Sequence, residues 1–517
     1  GTGNTSWIGV MPQTLAIIPK DGTGATDGNY AANSSFTGMV ADLITGVDTI
    51  RLFDGGSAQA TVSSATATSY IIALALDVDN NKVYGGYNSG SGITWLASGD
   101  PAAGSNGQAH TFTSDTIIQL EVGPNSGSNS NSKQTLNFGQ NGTFSGQETA
   151  GGNTDGAGIG NFFYSPPSGF KALCTKNLPS VTIKKPTEHF DTVTYTGNDS
   201  NRNITSFNFQ PDFLWLKSRE TAYYHRAIDA VRGSTRSLYV NTNDSELVDD
   251  YGTVGGFLSN GFSLRAGAGS NATHAGTNAD GDDMVAWAWK ANGSGSANTD
   301  GATNTTATSA NTTAGVSIIN VVGTGSDTTY GHGLGVIPKV YIVKLTSGTG
   351  DWYLQTSALD GGWDYIQLNA AAGSSSMTAT APTSSVLYSS VTSSATAVFY
   401  AFAEIENFSK FGQYTGNAST NGPMVNLGFR PAFVMIKRVD ATGMGWGIFD
   451  NKRSPSNEVD ELLYANSSDA EADSDTLDFL SNGFKVITSG SDFINGSGGT
   501  MFYMAFAESP FKYANAR

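Results

Sequence analysis

The chain has 517 residues, 38% of them hydrophobic and 14% charged, with 64 glycines and a formal net charge of −17. That is too long for one hydrophobic core, so several domains are expected, and the acidic balance argues against nucleic acid and anionic membrane surfaces, which need clustered Lys and Arg. One cysteine, Cys174, rules out an internal disulfide and a thiolate zinc site, and points to a bacterial or phage product assembled in a reducing cytoplasm.

The opening GTGNTSW lacks the basic end and apolar core of a signal peptide, and Gly1 in place of Met reads as a processed or partial chain. No apolar run reaches the ~18 residues of a spanning helix, so no membrane insertion is expected. Apolar residues instead alternate with a period of two, the pattern of strands. Residues 69–77 read as one strand, and an Asp/Asn turn leads to a second that carries Tyr84 and Tyr87. Asp77, Asp79, Asn80 and Asn81 make an oxygen-rich turn that a cation can use. It lacks the longer loop and closing Glu of an EF-hand, and hairpin capping is the simpler reading. Gly/Asn/Ser-rich stretches at 123–132 and 151–160 read as loops, and a first domain is placed at 1–180.

Beyond it the chain repeats itself. FLSNGF occurs at 257–262 and 479–484, YTGN at 195–198 and 414–417, F-x-P-x-F-x-x-x-K at 209–217 and 429–437, and L-Y-x-N-x-x-D-x-E at 238–246 and 463–471. The order is the same in both copies and the offset stays between 219 and 225 residues. A weaker third copy lies between them, with a Pro-strand-Lys segment at 335–344. Each copy ends in a strand alternating Ala with aromatics: Ala286–Lys290, Ala401–Glu404 and Ala505–Glu508. The repeats are placed at 187–292, 313–409 and 410–517, with a flexible linker at 293–312. Ser-Asn-Gly favours a tight turn, so FLSNGF is predicted to be a hairpin pinned by its Phe rings. A short helical pattern starts near 457–463. The expected fold is all-β: a jelly-roll-like β-sandwich followed by three tandem β-sandwich-like repeat domains, elongated like beads in a row.

No catalytic constellation stands out among the Ser, His, Asp and Lys residues, and no cofactor is expected. The five histidines show no i, i+4 or HExxH spacing, so no metal site is expected. Asp229 with Arg232 recurs as Asp450 with Arg453 while His225 does not, which favours a structural ion pair. Aromatics beside Asn and Asp suit sugar stacking. Tyr84, Tyr87 and Trp95 near the first hairpin, and Trp352, Trp363 and Trp446 in Gly-rich stretches, are therefore the ligand-binding candidates, against the simpler reading that they pack. Trp215, mid-strand, reads as core.

Three segments, "IALALDVDNNKVYGGYNSG" at 72–90, "LNFGQ" at 136–140 and "YSPPSGFKALCTKNLP" at 164–179, resemble the SPRY-like (concanavalin-like) β-sandwich of marine phage virion proteins. "HFDTVTYTGN", "FQPDFLWLKSR", "DAVRG" and "MFYMAFAESPFKYANAR" resemble repeats that follow it in cyanophage-like tail-fibre and structural proteins. The usual opening strand of that sandwich, resembling G-K-W-Y-W-E-V, has no counterpart before 7–10, so its first strands are expected to be missing or diverged. The resemblance implies a virion location on the tail or capsid surface, after synthesis in the host cytoplasm. It implies a non-enzymatic, tail-fibre-like structural role with host-surface glycan or receptor binding. Other virion proteins are the expected partners, and a homo-oligomer, a trimer, the expected assembly. The alternatives are a capsid-attached fibre or decoration protein, a bacterial secreted adhesin, and a polysaccharide depolymerase.

Overall fold

The computed structural model describes residues 3–12, 37–43, 48–55, 57–64, 71–88, 92–112, 116–125, 135–248, 253–266, 276–377, 380–490 and 492–514. It is all-β, as the period-two pattern predicts, and divides into two compact units, Gly1–Leu178 and Pro179–Arg517.

The first unit is a two-sheet sandwich. One sheet runs Ser57–Ser64, Asp48–Asp54, Thr37–Leu43, Gly3–Pro12, Thr116–Asn125; the other joins Ile72–Asp77, Lys82–Asn88 and Ile93–Trp95, with Gln108–Ala109 on Lys82–Asn88. Met39, Ile50 and Leu52 of the first sheet pack with Leu74 and Tyr87 of the second. The sheets approach so closely at Gly85 that a Cβ there would lie 2.1 Å from the Met39 sulfur. Trp7–Val10 lies within an interior strand of the five-stranded sheet, paired on one side with Thr37–Leu43 and on the other with Thr116–Asn125. The loop expected at 123–132 is strand as far as Asn125, and its remainder lies outside the described residues.

The second unit holds the three repeats, and each builds the same sheet. In repeat 1 the order is Phe190–Thr196, Asp283–Trp289, Phe213–Ser218, Arg226–Asp229, Arg236–Tyr239, Leu247–Val248, so the first strand pairs with the last. Repeat 2 follows it with Val316–Val322, Thr396–Phe402, Val340–Leu345, Tyr353–Thr356, Asp364–Gln367 and Ser374–Ser376, and repeat 3 with Ser409–Thr415, Thr500–Pro510, Phe429–Arg438, Trp446–Asp450 and Val459–Tyr464. FLSNGF forms the predicted hairpins, with Phe257 opposite Phe262 and Phe479 opposite Phe484. These hairpins cover one face of the sheet in an outer core: Ala286 and Ala288 with Leu214, Ile228, Val254 and Phe262 in repeat 1.

The aromatics of the Ala/aromatic strands point the other way, into a core shared by all three repeats. Trp289, Phe402 and Phe506, one from each repeat, meet there with ring centroids 6.3, 5.6 and 5.8 Å apart. Pairing register aligns Asp229, Thr356 and Asp450 opposite Phe213, Val340 and Phe433. Four residues before each stand His225, Trp352 and Trp446, and each ring donates an N–H to a backbone carbonyl of another repeat. Trp352 Nε1 donates to Tyr239 O at 2.8 Å, Trp446 Nε1 to Gln367 O at 2.8 Å, and His225 Nε2 lies 3.1 Å from Tyr464 O. Backbone bonds follow the same circuit: Glu246 N–H to Thr346 O, Ser374 N–H to Val439 O, Glu471 N–H to Arg219 O. Repeat 2 thus joins repeat 1, repeat 3 joins repeat 2, and repeat 1 joins repeat 3. The copies close into a pseudo-threefold ring.

Within residues 179–517 the tandem repeats are thus joined end to end, where a simple row would keep repeats 1 and 3 apart. The reason is that the middle strands are apolar on both faces: Phe213–Ser218 is buried at every position. The linker expected at 293–312 is also structured. Ala307–Asn311 is the outermost strand of the sheet of repeat 2, and side chains of Thr305 and Asn298 accept backbone N–H groups of Asn298 and Asp300. The helical pattern at 457–463 is overridden by pairing, and Val459–Tyr464 is strand.

Candidate functional site

Buried charge is where chemistry would be sought first. Lys217, Lys344 and Lys437 occupy one position in the three repeats, each with no exposed surface, and burial lowers each to about 8. Such lysines can act as nucleophiles, but here each ammonium is enclosed and donates to backbone carbonyls: Lys217 to Ser218 and Thr221, Lys344 to Leu345, Lys437 to Met444.

Asp229 and Arg232, and Asp450 and Arg453, form the ion pairs the recurrence predicts, each at 2.6 Å. Each Asp also accepts a hydrogen bond from the neighbouring repeat. Tyr400 hydroxyl donates to Asp229 at 2.7 Å, and Trp287 Nε1 donates to Asp450 at 3.0 Å. Glu246 and Glu471 complete the two networks on the far side of each Arg. At the third junction every member changes together: Thr356 for the Asp, Leu359 for the Arg, Ser374 for the Glu, and Met504 for the aromatic donor. These networks join one repeat to the next.

The cavities lie elsewhere. In the first unit a cleft of about 460 Å³ is lined by Trp95, Tyr164, Asp100, Asn153, Ser165 and Pro167 among others. Trp95 ends the strand Ile93–Trp95 opposite Gly86, and a Cβ on Gly86 would lie 2.9 Å from the indole, so glycine lets the ring lie across the sheet. Asn153 Nδ2 donates to Phe163 O at 2.7 Å and its Oδ1 accepts from Ser165 at 2.9 Å, which fixes the amide at the wall. Tyr164 is held edge-on by Phe163 at 4.8 Å. The segment after it is anchored by Asp155, which accepts N–H bonds from Ala157, Ile159 and Ala172 and one from the Asn177 side chain. These bonds hold its carboxyl at about 2. A second cleft, about 390 Å³, opens between the two sheets of repeat 2 and includes Tyr353, Gln355, Tyr388 and Asp351.

Of the residues singled out from the sequence, Trp95 lines the first of these two clefts. Tyr84 is buried, Tyr87 packs in the first core, and Trp363 packs beneath the outer core of repeat 2 at 5.5 Å from Tyr341. Trp352 and Trp446, read as exposed candidates, are 1% and 0% exposed; they are seam residues of the ring and offer no face to a ligand. Trp215 is core. Asp77 caps its own turn, accepting from Asn80 N–H at 3.1 Å, and Asp79 stands exposed on the same turn. Tyr164, Asn153 and the repeat 2 cleft were missed; for the first two, the signal was an aromatic and an amide within or near the 164–179 phrase.

Residues 185–510, more than half of the chain, match the sequence family described as a domain of unknown function, DUF7483. The match spans all three repeats. No curated protein and no solved structure matches the chain significantly.

Proposed function

The chain belongs to the DUF7483 family, and from that premise we propose that it is a non-enzymatic structural protein of a phage virion, a tail-fibre-like appendage that contacts host-surface glycans. The Trp95 cleft carries the recognition half of this reading. It brings an indole, a phenol, a carboxylate and an oriented amide around one opening, the set that stacks on a sugar ring and bonds its hydroxyls. The closed ring supports the structural half, since its buried ions are spent on joining copies into one body. Shallow sites of this kind bind weakly, and display of several chains on one particle would raise the affinity by multivalency.

The test has two arms. Antibody labelling of virions from the parent phage should decorate the tail or capsid surface. Titration of the protein against bacterial surface oligosaccharides should show binding that Trp95→Ala weakens about tenfold or more, the scale of one lost stacking contact. Release of reducing ends from such a polysaccharide would replace the non-enzymatic reading with depolymerase action.

A further inference from the structure

The outer core of repeat 2 differs from those of its sisters at matched positions. Leu214 is paired with Ile228 and Val434 with Phe449, whereas in repeat 2 Tyr341 is paired with Gln355. Ile204 faces Phe262, Val425 faces Phe484 and Tyr330 faces Leu387. Two residues further along stand Leu264, Val486 and Ser389. The first strand of each hairpin lays Val254 or Leu477 opposite that Leu or Val, and Phe257 or Phe479 opposite the Phe. The same spacing before Leu387 as before Phe484 leads to Thr380 and Pro382. Four positions that are apolar in both sisters are therefore Gln, Ser, Thr and Pro in repeat 2. Proline cannot donate to a ladder, residues 380–382 lie outside any strand, and among the described residues the outer sheet here has two strands in place of three.

The space left is the 390 Å³ cleft. Had it been vacated for another apolar strand, its walls would have stayed apolar. At three of the compared positions the wall has become polar together, Gln355, Thr380 and Ser389, while Val343, Leu345, Met377 and Val391 keep an apolar patch. We propose that this cleft binds one pyranose unit of a saccharide, a second recognition site that rests on the proposed function and extends it. The Tyr341 hydroxyl donates to Gln355 Oε1, which leaves the amide NH2 group to donate to a sugar hydroxyl. Asp351, oriented by Gln367 Nε2 and Asn369 Nδ2 at 2.9 Å each, accepts from another. Tyr353, set edge-on to Tyr365 at 5.6 Å, flanks the ring.

The test restores the sisters' residues in the full chain: Thr380→Leu, Gln355→Ile and Ser389→Val together. Oligosaccharides bound by the wild type are titrated by calorimetry against this variant, against Trp95→Ala and against Tyr353→Ala, the last serving if the triple variant does not fold. The expected result is a melting temperature no lower than wild type and at least a tenfold loss of affinity for one saccharide component, separate from the component lost in Trp95→Ala. A folded triple variant with unchanged saccharide binding overturns this inference and leaves the proposed function standing. No saccharide binding by the wild type overturns both. Binding of a synthetic peptide with the sequence of residues 474–481, in place of any sugar, overturns the saccharide assignment in favour of strand addition.

Discussion

Of the three rings that donate to a backbone carbonyl of another repeat, His225 is the one that can titrate. Trp215 donates to its Nδ1 at 2.9 Å, so the neutral ring carries its proton on Nε2, the atom that reaches Tyr464 O. Burial first, then the charge of Lys217, hold its pKa well below the usual value. The unfolded chain binds a proton near pH 6.5 that the folded chain refuses, so stability falls as pH drops below about 6.5. Glu461, raised to about 7 chiefly by burial and then by Glu471, works in the opposite sense and loses stability as pH rises through that value. The expected outcome is therefore a difference: His225→Gln melts with a weaker pH 7-to-5 decline than wild type by thermal denaturation. Asp155 acts at lower pH. Its depressed pKa means the anchoring of 155–177 is kept above about 4 and lost towards 2, and amide exchange of Ala157 and Ile159 should rise across that interval but not in Asp155→Asn. The Asp–Arg pairs yield a third expectation. Arg453→Leu alone strands Asp450 in the interior and should cost about 3 to 5 kcal/mol in denaturant unfolding. Replacing the Asp229 network as a set by its third-junction counterparts (Asp229→Thr, Arg232→Leu, Glu246→Ser, with Tyr400→Met) should cost far less than the sum of the single changes, because the third junction already shows that packing.

At the scale of the strand, the alternation of Ala with aromatics was legible and so was its meaning: two faces of different size. Both proved to be core. The small face suits close cover by a hairpin, and the ring face fills the centre, so Trp289→Ala should open a cavity among three repeats and cost about 3 to 5 kcal/mol. The hairpins were equally legible, since Ser-Asn-Gly dictates the turn locally. Trp352 and Trp446 were not. Their Gly-rich neighbours suggest exposure, and what buries them is a carbonyl over a hundred residues away in one case and 79 in the other. No local pattern encodes such a contact. Pro382 breaks a strand by its own chemistry, but its value as a sign of a cleft depends on knowing the register of the sisters.

For the whole of 179–517, the count of repeats could be read from the motifs while their closure could not, because a row and a ring use the same strands and differ in which ends meet. Closure has a measurable consequence. The shared core couples the repeats, so calorimetry of residues 179–517 should show one cooperative transition, and a fragment of 187–292 alone, with its ring face exposed, should fail to fold. Two resolved transitions would contradict the shared core. Closure within one polypeptide also changes what substitution can do. In an assembly of three identical chains, any replacement appears at every copy, so a strand breaker such as Pro382 would open all three sandwiches at once. Fusing the copies releases each position from its counterparts: two blades keep the scaffold sound while the middle one is free to acquire a new surface.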